Sequence, residues 1–113
     1  MHTFSFEKLE AWKKSRSLTR ELYVLTASFP KSEQYGLSNQ IRRASVSICS
    51  NLAEGSSRRS LKEQNQFYQF SFSSLMEVLN QLILSNDLEF ISDEALEDKR
   101  ESILVNIQTD IFG

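Results

Sequence analysis

Apolar residues recur along this chain at spacings of three and four, and no stretch alternates with period two. That pattern predicts helices and no strands. The clearest seam is Leu37, Ile41, Ala44, Ile48 and Leu52, one face of a helix expected from about Leu37 to Ser57. Ahead of it, Ala11, Leu18, Leu22, Leu25 and Phe29 mark a first helix from about Phe6 to Ser28, with Trp12 and Tyr23 on a flank. Phe29-Pro30 ends that helix, because the residue before a proline is pushed out of the helical region. Residues 30–36 then form a loop or single turn ending at Gly36, and Gly55-Ser56-Ser57 weaken the second helix and let it stop. Ser60-Leu61-Lys62-Glu63 has the S-x-x-E spacing of a capping box and opens a third helix to about Ser85. After a connection from Asn86 to Ile91, Ser92-Asp93-Glu94 caps a fourth helix with acids at its positive end. Its seam is Leu96, Ile103, Leu104, Ile107 and Ile111. Four helices of roughly 18–25 residues with short links predict an all-α, antiparallel up-and-down four-helix bundle, a single domain over residues 1–113.

Two of these helices carry more than a core face. Beside the seam of the second runs a polar stripe, Gln40, Arg43, Ser47, Asn51, Glu54 and Arg58, centred roughly 100° from it at 3.6 residues per turn. These groups either bond to neighbouring helices and fix their register, or line a groove shared around a symmetry axis. The third helix spreads Phe67, Tyr68, Phe72, Leu75, Met76, Val78, Leu79, Leu82 and Ile83 over about half its wheel, against the roughly 100° stripe of a surface helix. One reading is a thick aromatic core. The other is a subunit interface in which Tyr68, Phe72, Met76 and Ile83 meet a second copy, since monomers seldom expose a large apolar patch.

Charge adds an asymmetry that the net value of −2 conceals. Residues 1–62 hold 11 Lys/Arg against 5 Asp/Glu, giving +6, and residues 63–113 hold 2 against 10, giving −8. Such a division either binds a polyanion on the basic half or joins subunits by charge complementarity. The basic groups cluster. Lys13, Arg16 and Arg20 share one face of the first helix. Arg58, Arg59 and Lys62 crowd the turn between helices two and three, and Arg42 and Arg43 lie near the opposite end of the second. Arginine suits bidentate phosphate recognition, so Arg16, Arg20, Arg42, Arg43, Arg58 and Arg59 are the candidate nucleic-acid contacts. Trp12 and Tyr23 offer stacking surfaces for unpaired bases, or pack in the core.

Catalytic chemistry finds little support. His2 stands near the start of the chain with no partner, and Cys49 has no histidine to activate it. There is no Gly-rich phosphate loop, no H-E-x-x-H and no paired Glu-x-x-His of the di-iron bundles. No enzyme activity, metal or cofactor is therefore expected. One cysteine among 113 residues fits a reducing compartment. The opening MHTFSFEKLEAW lacks the basic and apolar regions of a signal peptide, and no apolar run reaches the ~20 residues that span a bilayer. A cytoplasmic protein is expected.

The segment YGL..Q.RRA..SI..N.AEG..R, from Tyr35 to Arg58, resembles the signature of the small four-helix-bundle proteins encoded in intervening sequences of bacterial 23S ribosomal RNA genes. Phe6, Leu9 and Trp12, then Phe29-Pro30, then Phe67, Ser74-Leu75 and Glu77 agree with it, so that the likeness covers roughly residues 4 to 90. The resemblance implies an up-and-down bundle assembling as a ring-like homopentamer. It also implies a relation to the accessory protein of diversity-generating retroelements, which binds nucleic acid. The resulting expectation is a non-catalytic homo-oligomer that binds RNA or DNA through a basic surface. The alternative is a protein-interaction or scaffold module with no nucleic-acid role.

Overall fold

The computed structural model describes residues 4–112, so His2 lies outside the described residues. The chain forms the expected all-α four-helix bundle. Helix α1 is Glu10–Thr26, α2 is Leu37–Ser56, α3 is Leu61–Asp87 and α4 is Asp93–Glu101. The last runs on through a π-helical stretch, Ser102–Gln108, into a final turn, Thr109–Phe112. Short 3-10 turns at Ser5–Lys8 and Lys31–Glu33 precede α1 and α2. No strand is present among the described residues. The molecule measures 44 × 26 × 24 Å, and its long axis is set by α3, whose 27 residues span about 40 Å at 1.5 Å per residue. Because neighbours run antiparallel, the start of α1, the end of α2, the start of α3 and the end of the fourth helix meet at one end. There Leu9, Ala11, Leu52, Tyr68 and Ile111 line a small cavity.

The predicted seams make the core. Leu18 and Leu22, Ile41, Ile48 and Leu52, Leu75, Val78 and Leu82, and Ile103 and Ile107 are all 2% exposed or less. The caps form where the sequence places them: the Ser60 hydroxyl accepts from the Glu63 N–H at 3.1 Å, and Ser92 accepts from Ala95 N–H at 3.1 Å, each satisfying an orphan donor of a first turn. Helix α3 overruns the expected end by two residues and closes in a Schellman turn. Phe90 N–H donates to the Ser85 carbonyl at 2.8 Å and Glu89 N–H to that of Asn86 at 2.9 Å, with Glu89 at φ 64°. Phe90 is held there by the Phe29 ring at 5.4 Å.

Two helices depart locally from the sequence reading. The first helix begins at Glu10 rather than Phe6, because Leu9 is extended (φ −72°, ψ 125°) and the residues before it wind as a 3-10 turn. Of the Phe6, Leu9, Trp12 triplet only Phe6 lies in that turn, Leu9 is the extended residue that follows it, and Trp12 belongs to α1. The ring of Phe6 still meets Trp12 edge-on at 5.0 Å. In the fourth helix, Ser102–Gln108 is π rather than α. Bonding to the fifth residue widens the turn, so Ile103, Ile107 and Ile111, spaced by four, stay nearly in line along the core.

Gly55 does more than weaken a helix end. It is buried, and a Cβ there would sit 2.7 Å from Tyr68 Cε1 and 3.0 Å from Phe67 Cβ. Its missing side chain lets α2 approach the start of α3. Gly55→Ala is therefore expected to destabilise the fold by about 1–3 kcal/mol through overpacking, against the ~1 kcal/mol that alanine offers a helix interior. A urea midpoint equal to or above that of the parent would show that the Tyr68 ring swings aside at no cost.

Candidate nucleic-acid interface

Helix α1 presents Trp12, Arg16, Thr19 and Tyr23 along the flank that meets α2, with Arg20 on its outer edge. The pairing of the two helices is polar. The Thr19 hydroxyl bonds the Ser15 carbonyl at 2.9 Å, reaches the Ser45 carbonyl at 3.2 Å and contacts Cys49 Sγ at 3.6 Å. Arg42 Nε donates to the Thr26 hydroxyl at 2.8 Å and its Nη2 to the Tyr23 carbonyl at 3.1 Å. The same guanidinium lies 4.7 Å from the centre of the Tyr23 ring. Arg42 thus docks α2 onto α1 and still has N–H groups uncommitted. Arg16 covers Trp12 at 5.5 Å.

Carboxylates turn away from this face. Glu10 pairs with Lys13 at 3.4 Å. Glu21 bonds Lys99 on the side facing α4, and Glu54 pairs with Arg58 on the α3 side of α2. Lys99 is 9% exposed. Burial works against its charge, but the hydrogen bonds and attraction of Glu21 and Asp98 outweigh it and hold its pKa above the ordinary value. Lys14 ties α1 to the last turn through Asp110 at 2.7 Å. Burial pushes the Cys49 thiol up, which keeps it protonated and unreactive at neutral pH.

The six candidate arginines do not form one cluster. Arg16, Arg20 and Arg42 belong to α1 and the α2 flank that meets it, Arg43 lies on the α2 stripe of Ser47 and Glu54 that turns toward α3, and Arg58 and Arg59 lie at the α2–α3 turn. Arg58 is engaged by Glu54 at 2.8 Å and lies 4.7 Å from the Phe67 ring centre. Arg20, Arg43 and Arg59 are exposed and have no hydrogen-bond or ion-pair partner among the described residues. The Trp12–Arg16 pair is legible at i, i+4. The Arg42–Tyr23 pair joins two helices and has no local signal in the sequence.

The polar stripe of α2 is split. Ser47 and Asn51 are half-buried against α3: the Ser47 and Ser74 hydroxyls bond at 2.8 Å, and Asn51 Nδ2 donates to the Ser47 carbonyl at 2.9 Å and hydroxyl at 3.1 Å. Ser71 adds a bond from its hydroxyl to the Ile48 carbonyl at 2.7 Å. Gln40 and Glu54 are exposed. The Glu54–Arg58 pair has side chains 56% and 41% open, so Glu54→Ala should change stability by no more than about 0.3–0.5 kcal/mol. A thermal melt showing a loss above 1 kcal/mol would mean that Glu54 has a partner beyond Arg58.

The four residues singled out on α3, Tyr68, Phe72, Met76 and Ile83, are all half-buried. Tyr68, Met76 and Ile83 rest against the bundle's own core. The large apolar side chains left open on α2 and α3 are Leu61, at 76% on the first residue of α3, and Val46, Phe70 and Leu84 farther along, at 44, 47 and 43%. No helix among the described residues is long and apolar enough to cross a membrane.

Fold and surface define a small all-α bundle with a basic, aromatic-studded side. The family of 23S rRNA-intervening sequence proteins matches residues 7–108, and the chain belongs to that family. No curated protein matches it.

Proposed function

We propose that this protein is a non-catalytic homo-oligomer of the cytoplasm that binds nucleic acid, RNA or DNA, through its basic side. The observation that supports this most is the α1–α2 face itself, where Arg16 and Arg42 lie over Trp12 and Tyr23. Arg20 is exposed at its outer edge and Arg43 on the neighbouring stripe of α2, while Glu10, Glu21 and Glu54 are paired with Lys13, Lys99 and Arg58. Arg58 and Arg59 extend the positive surface around the turn into α3. Such a surface holds phosphates and carries no base-reading pattern, so binding is sequence-tolerant. The open apolar residues Val46, Phe70 and Leu84, with the uncovered sides of Tyr68, Phe72, Met76 and Ile83, supply a subunit contact. A homopentamer, related in plan to the retroelement accessory protein, would repeat a weak basic face five times and turn it into a polyvalent site.

The charge division favours one rival. In an interaction or scaffold module, the acids Asp93, Glu94, Glu97, Asp98 and Glu101 of α4 would meet the basic half of the next copy or of another protein. Light scattering followed by gel-shift assays with RNA and DNA at low salt separates the two. An oligomer that retards both nucleic acids is the expected result. A well-assembled oligomer that binds neither leaves the interaction module, and a monomer at micromolar concentration removes the assembly from either reading.

A further inference from the structure

Three arginines lie over aromatic rings: Arg16 on Trp12, Arg42 on Tyr23 and Arg58 on Phe67. Cation–π pairs occur about once per 70–80 residues, so a chain of 113 residues would ordinarily carry one or two. Two of the three share the α1–α2 face. Trp12 and Tyr23 are in line on one flank of α1, three turns and about 16 Å apart at 1.5 Å per residue. The floor between them is small, with Thr19 and Cys49 touching at 3.6 Å, and Arg20, exposed on the outer edge of α1, lines the groove on its other side with Glu21, Asp98 and Lys99. A guanidinium is planar and weakly hydrated, and stacks on flat π systems with either side. Each Arg–ring pair is therefore a flat, cationic platform rather than a point charge.

Bases in a duplex already stack on one another and present only phosphate and groove edges. Unpaired bases have free π faces, and proteins receive them on aromatic rings and arginine planes. We infer that this face takes single-stranded nucleic acid in preference to duplex. Bases stack on the Arg16–Trp12 and Arg42–Tyr23 platforms, and the phosphates between them lie in the field of the Arg16 and Arg42 guanidinium groups. The span between platforms suits about three to five nucleotides at 3.4 Å or more each. The inference rests on the nucleic-acid reading above and specifies its ligand. Stacking is blind to the sugar, so RNA and DNA strands serve alike.

Fluorescence anisotropy of the full chain tests this with labelled oligouridylate, oligothymidylate and blunt RNA and DNA duplexes of equal length. Both single strands should bind about ten-fold or more tighter than either duplex. Arg16→Lys keeps the charge and loses the plane, and Tyr23→Leu removes the ring. Each should cut the ratio of single-strand to duplex affinity by about 5- to 10-fold, with circular-dichroism melts confirming the bundle. Duplex bound as tightly as single strand, a preference that survives both substitutions, or one confined to a single sugar would each overturn the inference while leaving nucleic-acid binding in place. Absence of binding to all four probes would overturn the underlying reading, and this inference with it.

Discussion

Leu75→Ala is expected to lower the unfolding free energy by about 2–5 kcal/mol, a large share of the 5–15 kcal/mol typical of a domain. Leu75 is completely buried at the middle of α3, as are Val78 and Leu82 beside it and Ile48 and Ile103 in the helices that close over the core. Truncation removes transfer free energy and leaves a cavity that its neighbours fill poorly, because Val78, Ile48 and Ile103 are β-branched and stiff at the first torsion. Chemical denaturation should show a lower midpoint at unchanged slope, the sign of a loss of stability without a change of compactness. A loss below 1 kcal/mol would mean that the bundle collapses around the site, and that α3 is less firmly seated than its burial indicates.

The bundle was legible because its helices are amphipathic at one period throughout. Leu18, Ile41, Leu82 and Ile107 each follow from spacing alone and are each buried. What escaped are features that periodicity does not encode. A row spaced by four, as at Ile103, Ile107 and Ile111, reads as α-helix yet suits the wider π turn equally well. Gly55 looks like a helix breaker in one dimension, and its role depends on Tyr68 and Phe67 arriving from the next helix.

The candidate site was legible as residue types and not as partners. A helical wheel places Glu54 and Asn51 side by side, but only the fold decides that α3 covers Asn51 and leaves Glu54 in water. Arg42 could be picked out as a cation. Its engagement by Thr26 and Tyr23 required the crossing of α1 and α2. On α3, half a wheel of apolar residues left the outward direction undetermined, and Phe70 and Leu84 are more open than Met76 and Ile83.

Removing Arg16, Arg20, Arg43 and Arg59 together, as alanines, is the second large effect expected. Arg16 lies over Trp12, and the other three have no partner among the described residues, so their loss leaves no buried charge behind. Stability should change little, since surface substitutions usually fall within about 0.5 kcal/mol. Affinity for RNA and DNA should drop by about two orders of magnitude at low salt, because each lost phosphate contact removes roughly 0.7–0.9 from the log–log salt slope. The variant's slope should therefore be flatter by about 3 per binding face.

The most direct measurement of the central claim is the salt dependence of nucleic-acid binding by the unmodified protein. Binding of an RNA or DNA strand, followed from low to physiological salt, should give a straight log–log line with a slope of about −3 or steeper. Binding that is absent at low salt, or that stays constant as salt rises, would contradict a nucleic-acid interface built on these arginines.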